Sequence, residues 1–206
     1  MGLLDGTKFS LDGLKLSSNA SKEWSGTKSD LKKKKEKIEK TIKYLMNRHI
    51  KSDKEEASNG INYSERKKQI EKLKVKAEKI EKWLSENEGR QGKRGKEIQS
   101  NITDNQSAKM KTSHGVIQGY NCQALVDSKH QIIVHAEAFG NGQDEEGREI
   151  YSERIKIIEP VFANLRIQKG MDYLTLRGKV KVNIQWLLYC IVHNIGKIGG
   201  YGMGYG

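Results

Sequence analysis

The segment Gly115–Phe139 constrains the fold most, because it carries two β-strand patterns in succession. Between Tyr120 and Val126 the residues alternate in polarity, with Tyr120, Cys122, Ala124 and Val126 on one face and Asn121 and Gln123 on the other. Residues 127–130 (Asp-Ser-Lys-His) predict a turn, since an Asp side chain bonds the backbone that follows it. Residues 131–139 are rich in β-branched side chains and predict a second strand. We expect an antiparallel hairpin, which needs a third strand or a helix to cover it.

A further strand is indicated near the start of the chain, over Thr7–Leu16. Leu14 and Leu16 share a face with Asp12, and an unpaired charge in that position is costly to bury. Asp12 is therefore exposed, paired or bound to a metal. The alternative is a pair of turns, because both Asp5 and Asp12 precede glycine, and spacing alone favours these turns.

Two long helices are predicted over Ser29–Ile50 and Glu65–Glu86. The second has apolar residues at alternating spacings of three and four, which is a heptad seam: Ile70, Leu73, Ala77, Ile80 and Leu84. The first repeats this stripe more loosely at Leu31, Ile38, Ile42 and Leu45. With a reversal at 52–62, the pattern predicts an antiparallel helical hairpin.

Charge is concentrated in this helical region. The chain of 206 residues has a net charge of +12, and Lys28–Lys96 holds 23 Lys and Arg against 12 Asp and Glu, which is +11 of that total. A basic surface of this size attracts polyanions, most commonly nucleic acid. The candidate DNA-binding residues are Lys32, Lys33, Lys34 and Lys35 on the helix, and Arg90, Lys93, Arg94 and Lys96 in a glycine-rich loop. The alternative is a solvated helix pair that binds nothing.

The C-terminal third is predicted to be helical. Tyr151–Ile158 is a helix interrupted by Pro160, which places Glu159 at a break or cap. Arg177–Ile195 is amphipathic, with a predicted buried stripe of Val180, Ile184, Leu187, Ile191 and Ile195. Cys190 and His193 share a helix face, and core packing is favoured over a metal pair. The glycine-rich tail 199–206 is predicted to be disordered.

The remaining segments are less informative. Asn101–Ser113 is polar and predicts a loop, in which Asp104 acts as a cap rather than a functional residue. Cys122 and Cys190 are expected to be buried free thiols. No apolar run approaches the ~20 residues that span a bilayer. We expect a cytoplasmic protein with no membrane partner.

Three segments together resemble the DDE transposases of bacterial insertion sequences. Asp12–Lys22 is similar to the family's first strand with its catalytic aspartate, and Ser107–Asp144 is similar to the strand pair that follows the family's helical insertion. Tyr151–Ile198 resembles the C-terminal block with its Tyr-Arg-Glu signature. There Tyr151 and Arg154 match, Glu159 matches the catalytic glutamate, and Arg166 stands where a lysine is often found.

The resemblance implies an α+β, partial RNase H-like fold with a mixed sheet of about three strands. The implied segments are a first core strand (1–26), a basic helical hairpin insertion (27–89), a loop and core β-hairpin (90–142), C-terminal helices with the Tyr-Arg-Glu block (143–198), and the tail (199–206). It outweighs the turn interpretation of Asp12.

The resemblance also implies chemistry. The family holds two Mg²⁺ ions with three carboxylates, which activate the attacking oxygen and stabilise the leaving oxygen at a phosphodiester. Asp12 and Glu159 would be catalytic metal ligands, with Tyr151 and Arg154 as further catalytic residues. The implied partners are DNA, and a second copy or an intact transposase.

The chain departs from the family in one place. The family's second aspartate lies on a further strand between the hairpin and the Tyr-Arg-Glu block, and here only Gly140–Ile150 separates the two. Eleven residues cannot hold a crossover, which needs a dozen or more. Asp144 in this gap and Asp127 in the turn are poor substitutes.

We therefore expect a transposase remnant with an internal deletion and a truncated N-terminus, defective in strand transfer. The alternatives are a non-catalytic DNA-binding or interaction module built on the basic hairpin, and a gene remnant without function.

Overall fold

The computed structural model describes residue 4 and residues 8–55, 60–91, 95, 97–140 and 151–202. Two compact units divide the chain, one formed by Met1–Trp24 with Thr103–Gly206 and the other by Ser25–Ile102. In the described parts of the chain, helices and strands occur together, which confirms the α+β class. None of the described helices is long and apolar enough to cross a membrane.

The described elements follow one another along the chain in a single order. They are β1 (Phe9–Ser18), a 3₁₀ turn (Lys22–Trp24), β2 (Ser25–Gly26), α1 (Lys28–Glu55), α2 (Gly60–Glu86), β3 (Arg90–Gln91), β4 (Glu97–Ile98), β5 (Ser100–Asn101), β6 (Ala108–Thr112), β7 (Gly115–Asp127), β8 (Ile133–Phe139), α3 (Tyr151–Ala163), a π-helical segment (Asn164–Gln168), β9 (Tyr173–Leu174) and α4 (Lys179–Gly202).

The first unit is organised around β7, as the alternating pattern predicts. Tyr120, Cys122, Ala124 and Val126 are all fully buried. Strand β1 runs antiparallel to β7 along one edge, while β6 and β8 pair with successive halves of the other edge. The predicted turn is confirmed, because the backbone N–H groups of Lys129 and His130 both donate to Asp127 Oδ2.

The sheet is larger than the sequence predicts. Within the described residues it has five strands, because β6 and β9 join the hairpin and β1. Strand β6 replaces part of the loop expected over Asn101–Ser113, and β9 is parallel to β1 over two residue pairs, Ser17 with Tyr173 and Ser18 with Leu174. Within β6 only Met110 is buried, and most of the other side chains are polar. The segment therefore lacks the alternation of apolar and polar residues that predicts a strand.

Helix α3 and the π-helical segment after it pack against the sheet through fully buried aliphatic side chains, Ile158, Val161 and Leu165. The predicted interruption at Pro160 is wrong, because α3 continues through this residue to Ala163. A proline inside a helix removes a backbone hydrogen bond at a cost of about 3 kcal/mol. Burial of neighbouring apolar side chains on both sides of Pro160 offsets that cost, so Glu159 lies in a continuous helix.

Helix α4 packs through a different face from the predicted one. The buried side chains are Val182, Trp186, Cys190 and His193, whereas Val180, Ile184, Leu187, Ile191 and Ile195 are exposed. The predicted buried stripe is therefore wrong. The buried face includes two asparagines that bond the outer edge of β8: Asn183 bonds the N–H and C=O of Ala138, and Asn194 those of Ile133.

Two other buried polar groups support this arrangement. Trp186 Nε1 donates to the Gln123 carbonyl over 3.0 Å. Asp104 is 5% exposed and accepts hydrogen bonds from the Tyr120 hydroxyl and from the N–H of Gly178, just before α4. The predicted capping role of Asp104 is thus confirmed, and it links the loop before β6 to the start of α4.

The second unit contains the antiparallel pair α1 and α2. Leu31, Ile42, Ile70, Ala77 and Ile80 are buried, which confirms the predicted apolar seams. Short strand pairs, β2 with β5 and β3 with β4, complete the unit. The glycine-rich tail is helical at its start, since α4 continues to Gly202, and residues 203–206 lie outside the described part.

Candidate functional site

Asp12 lies in the middle of β1, where its backbone is paired with Ala124 of β7. The alternative turn at Asp12 and Gly13 is therefore wrong. The side chain is partly buried, and its Oδ1 accepts a hydrogen bond from the N–H of Gly13 over 2.7 Å. Leu16, on the same face of the strand, is buried in the core. Leu16 therefore fixes its end of the strand in the core, while the Asp12 carboxylate lies at the surface of the sheet.

Glu159 is exposed on α3. It lies on a different side of the helix from Val161 and Leu165, which are buried in the core. Phe162, Ala163 and Arg166 follow at helical spacings of three, four and seven, so they share one side with Glu159. The π-helical segment then widens the last turn and brings Ile167 to this side as well. π-Helical turns occur frequently at functional sites.

These residues form one open cleft of about 460 Å³. Its walls come from β1 (Asp12, Gly13, Leu14), from α3 (Glu159, Phe162, Ala163), and from the segment that follows (Arg166, Ile167, Asp172). The structure therefore brings together the two carboxylates that the resemblance assigns to metal binding. Arg166 adds a cation to the same cleft.

Asp172 is a third carboxylate of the cleft, and no pattern in the sequence predicts it there. It directly precedes β9, whose Tyr173 is paired with Ser17 of β1. Ser17 lies five residues from Asp12, about 16 Å along an extended strand. Asp172 thus enters the cleft from its far end. No sequence signal distinguishes it from an ordinary loop aspartate.

The carboxylates of the cleft do not converge on a metal position. Among the residues that the structure describes, no group of three or more His, Cys, Asp and Glu side chains could hold a metal ion. Asp12 and Glu159 supply two hard oxygen ligands, which is fewer than the three carboxylates that the family resemblance implies for two Mg²⁺ ions. The described residues therefore do not fit the two-metal site.

Several predicted site residues lie at the boundary of the described structure. Tyr151 and Arg154 are in the first turns of α3, but their side chains are outside the described part. Asp144 falls in the segment 141–150, which is also outside it.

The predicted DNA-binding lysines lie on α1. Lys32 and Lys33 are exposed, and Lys34 is partly exposed. Lys35 is partly covered and binds Glu81 of α2 over 2.8 Å, and this hydrogen bond raises the pKa of its ammonium group. Consecutive residues point 100° apart on a helix, so the four lysines do not form one face. Arg90 is in β3, while Lys93, Arg94 and Lys96 lie outside the described residues.

A more regular basic surface exists on the same helix. Lys33, Lys37, Lys40 and Tyr44 are all exposed and follow one another at spacings of four, three and four. That spacing places them in one line along α1. We call this set the α1 basic stripe.

The profile of the family described as "Transposase DDE domain" matches residues 118–199. This segment contains β8, α3 with Glu159, the π-helical segment and most of β7 and α4, but not Asp12. Comparison with curated proteins gave no match, and neither did comparison with solved structures. The match supports assigning this segment of the chain, residues 118–199, to the DDE-type transposases.

Proposed function

We propose that this chain is a transposase-family protein that keeps part of the catalytic cleft but does not carry out strand transfer. The observation that carries the proposal is the shared cleft of Asp12 and Glu159, in which Glu159 lies within the family match. Their positions on β1 and α3 agree with the roles that the resemblance assigns to them. Arg154 and Tyr151, about one turn and two turns before Glu159 on α3, remain proposed members of the same site.

The expected defect follows from ligand number. Mg²⁺ demands near-octahedral oxygen coordination, and a pair of ions needs ligands that bridge and flank both. The third carboxylate that lines the cleft, Asp172, enters at its far end and does not join Asp12 and Glu159 in a metal-binding group of described residues. We therefore expect Mg²⁺ to bind weakly.

A DNA cleavage assay tests this proposal. The full chain is incubated with supercoiled plasmid, or with duplex DNA copied from either side of the reading frame, in Mg²⁺ or Mn²⁺. We expect no cleavage above a protein-free control. Robust cleavage that disappears in Asp12→Asn and persists in Asp172→Asn would refute the defect and would show a working site at Asp12.

Metal binding is measured separately by titrating Mn²⁺ and following its paramagnetic relaxation effect. We expect millimolar affinity that falls further in Asp12→Asn and in Glu159→Gln, because both remove a charged ligand from one cleft. Asp172→Asn is the matched control, since it removes the same charge from the far end. Equal losses in all three variants would indicate a diffuse electrostatic effect instead of a ligand pair.

A second function, sequence-tolerant DNA binding by the helical hairpin, is favoured by the α1 basic stripe. Three lysines along one side of a helix can follow a phosphate backbone, and Tyr44 offers an exposed ring at the end of the line. Arg90, Lys93, Arg94 and Lys96 in the glycine-rich loop, with Lys32 and Lys34, remain proposed additional contacts. A protein that occupied DNA in this way without cutting it would compete with an intact transposase in the cytoplasm.

Salt dependence tests the stripe. The variant Lys33→Gln/Lys37→Gln/Lys40→Gln should bind a random-sequence duplex less tightly and should lower the slope of log K against log[salt] by about 2.7, at ~0.9 per phosphate contact. The matched control removes three exposed lysines from the first unit, Lys109, Lys111 and Lys129. If both triple variants lose the same affinity, net charge rather than the stripe is responsible.

A further inference from the structure

Strand β1 has one edge that no described strand covers over most of its length. Strand β7 pairs with β1 over residues 9–17, whereas β9 pairs on the other edge only with the last two residues of the strand. On the β7 side, the Lys8 carbonyl accepts a hydrogen bond from the N–H of Ser128. Because backbone groups alternate between the two edges, the other edge receives those of Phe9, Leu11 and Gly13. We call residues 9–14 the open edge of β1.

The sequence of the open edge favours the approach of another backbone. Proline and lysine commonly protect an exposed edge, and residues 9–14 contain neither. A glycine inside a strand often marks a site where another backbone comes close, and Gly13 is such a residue. Its N–H donates to the adjacent Asp12 carboxylate over 2.7 Å. A carbonyl from an added strand can replace this local bond and release the carboxylate.

The cleft of Asp12 and Glu159 lies next to the open edge. Among the described residues, β1 lines the cleft and β7 does not. A further wall is formed by Asp172, which directly precedes Tyr173, the parallel partner of Ser17. Asp172 is therefore on the side of β1 away from β7. A strand added to the open edge would thus have one of its faces directed toward the cleft.

The side chains that line the cleft favour a basic ligand with an apolar part. Three carboxylates and one guanidinium give the cleft a formal charge of −2, although the whole chain carries +12. An anionic ligand is therefore repelled and a cationic one is attracted. The cleft also has four apolar side chains, Leu14, Phe162, Ala163 and Ile167. Of these, Ile167 is 82% exposed, so it is available for contact with a ligand.

We propose that the open edge and the cleft together bind an extended basic peptide segment of another protein, which adds a strand to β1. Hydrogen bonds to the backbone of Leu11 and Gly13 provide affinity, and alternate side chains directed into the cleft provide specificity. A peptide carbonyl replaces Asp12 at the Gly13 N–H, and the released carboxylate pairs with a Lys or Arg of the peptide. This inference does not depend on the proposed function, because it requires neither a bound metal nor DNA.

Fluorescence anisotropy of a labelled synthetic peptide mixed with the full chain tests the proposal. Residues 9–14 offer about 20 Å of edge, which about seven extended residues cover. The probe is Thr-Lys-Thr-Val-Thr-Arg-Thr, in which Lys, Val and Arg all point to one face. We expect saturable binding at micromolar concentration. A probe with Glu in place of Lys and Arg should bind at least ~10-fold more weakly.

N-methylation of the probe separates strand addition from simple charge attraction. Methyl groups on the Lys, Val and Arg amides block one edge of the peptide, and methyl groups on the two inner Thr amides block the other. One set should weaken binding at least ~30-fold, the loss expected for two hydrogen bonds, and the other set should weaken it less than ~3-fold. Loss with the first set indicates a strand parallel to β1, and loss with the second an antiparallel strand. Equal effects of both sets would overturn the proposal.

A matched pair of protein variants locates the binding site. Ile167→Ser removes an exposed apolar side chain of the cleft and should weaken binding of the basic probe about 5-fold. Val116→Ser makes a similar change on β7, away from the cleft, and should leave binding unchanged. Thermal melts confirm that both variants are folded.

Four results would overturn the proposal. They are an absence of binding at millimolar probe, equal affinity for the acidic and basic probes, equal losses in the two serine variants, and a dimer of the chain alone that the basic probe dissociates. Sedimentation velocity with and without the probe detects the last of these, which would assign the open edge to a second copy of the chain.

Discussion

Replacing the two asparagines of α4 provides a direct test of which face of this helix packs on the sheet. Asn183 and Asn194 each bond both backbone groups of a β8 residue, at 2.8 and 3.2 Å for Ala138 and at 2.9 and 2.8 Å for Ile133. The side chains thus act in place of a neighbouring strand along the outer edge of β8. Asn183→Ala or Asn194→Ala would leave an N–H and a C=O without these partners.

The expected magnitude follows from the number of bonds. A hydrogen bond contributes about 1 kcal/mol net, so each substitution loses about 2 kcal/mol. The loss is somewhat larger because the backbone N–H and C=O groups left without a partner are partly buried. Alanine gains about 0.7 kcal/mol in helix propensity over asparagine, which leaves a net loss of about 1.5–2 kcal/mol per site. The residues are eleven positions apart, or about 16 Å along a helix, so the two losses should add.

Urea denaturation of the single and double variants measures these free energies of unfolding. The double variant should lose about 3–4 kcal/mol, a large part of the stability of an ordinary domain. Lys181→Ala, at an exposed position of the same helix, is the control and should change stability by less than ~0.5 kcal/mol. If α4 instead packed through Val180 and Ile191, both asparagines would face solvent. Their replacement would then be neutral or stabilising, a change of opposite sign that would refute the observed packing.

Three further predictions concern the first unit. Asp104→Ala and Tyr120→Phe should each destabilise the chain. Because the Tyr120 hydroxyl donates to the Asp104 carboxyl over 2.9 Å, their double-mutant cycle should show a coupling energy of about 1–2 kcal/mol. Strictly additive losses would contradict this bond. Gly119→Ala should cost several kcal/mol, since a Cβ there would lie 1.9 Å from the Leu16 carbonyl oxygen, whereas Gly196→Ala in open space on α4 should stabilise by up to ~1 kcal/mol. Burial lowers the pKa of His193, with smaller effects from the carbonyl of Gln131, which raises it, and from Lys197 and Lys169, which lower it. As the pH falls, His193 is therefore protonated in the unfolded chain before it is protonated in the folded chain. The free energy of unfolding should decrease as the pH drops below the unfolded pKa near 6.5. Chemical denaturation across pH 5–8 should show this decrease for the wild type and not for His193→Gln.

The sequence predicted the elements whose side chains alternate or repeat strongly. The hairpin was identified from the residues around Cys122, and its turn from Asp127, because a buried face leaves a period-two pattern. The seams of α1 and α2 were identified by the same logic at helical spacing. Asp12 and Glu159 were found through the family resemblance, since neither has a local pattern that distinguishes a ligand from a surface carboxylate.

The orientation of α4 could not be predicted in this way. Both of its faces carry apolar residues at helical spacing, and the face with fewer aliphatic residues packs on the sheet. That choice depends on Trp186, Asn183 and Asn194, whose bonds go to backbone groups distant in sequence. The continuation of α3 through Pro160 and the position of Asp172 in the cleft were not predicted, for a related reason. Tertiary packing determines both, whereas the neighbouring sequence favours a helix break at Pro160 and an ordinary loop at Asp172.

Strand β1 is paired unequally on its two edges, and this has a consequence for solvent exchange. One edge is bonded to β7 from Phe9 to Ser17, while on the other edge the described strands pair only with Ser17 and Ser18. Successive amides of a strand point to opposite edges. Deuterium should therefore enter β1 at every second amide, quickly on the open edge and slowly on the edge paired with β7. The strand that carries Asp12 would then show two exchange rates in alternation, and any molecule that covered its open edge would slow only the faster set.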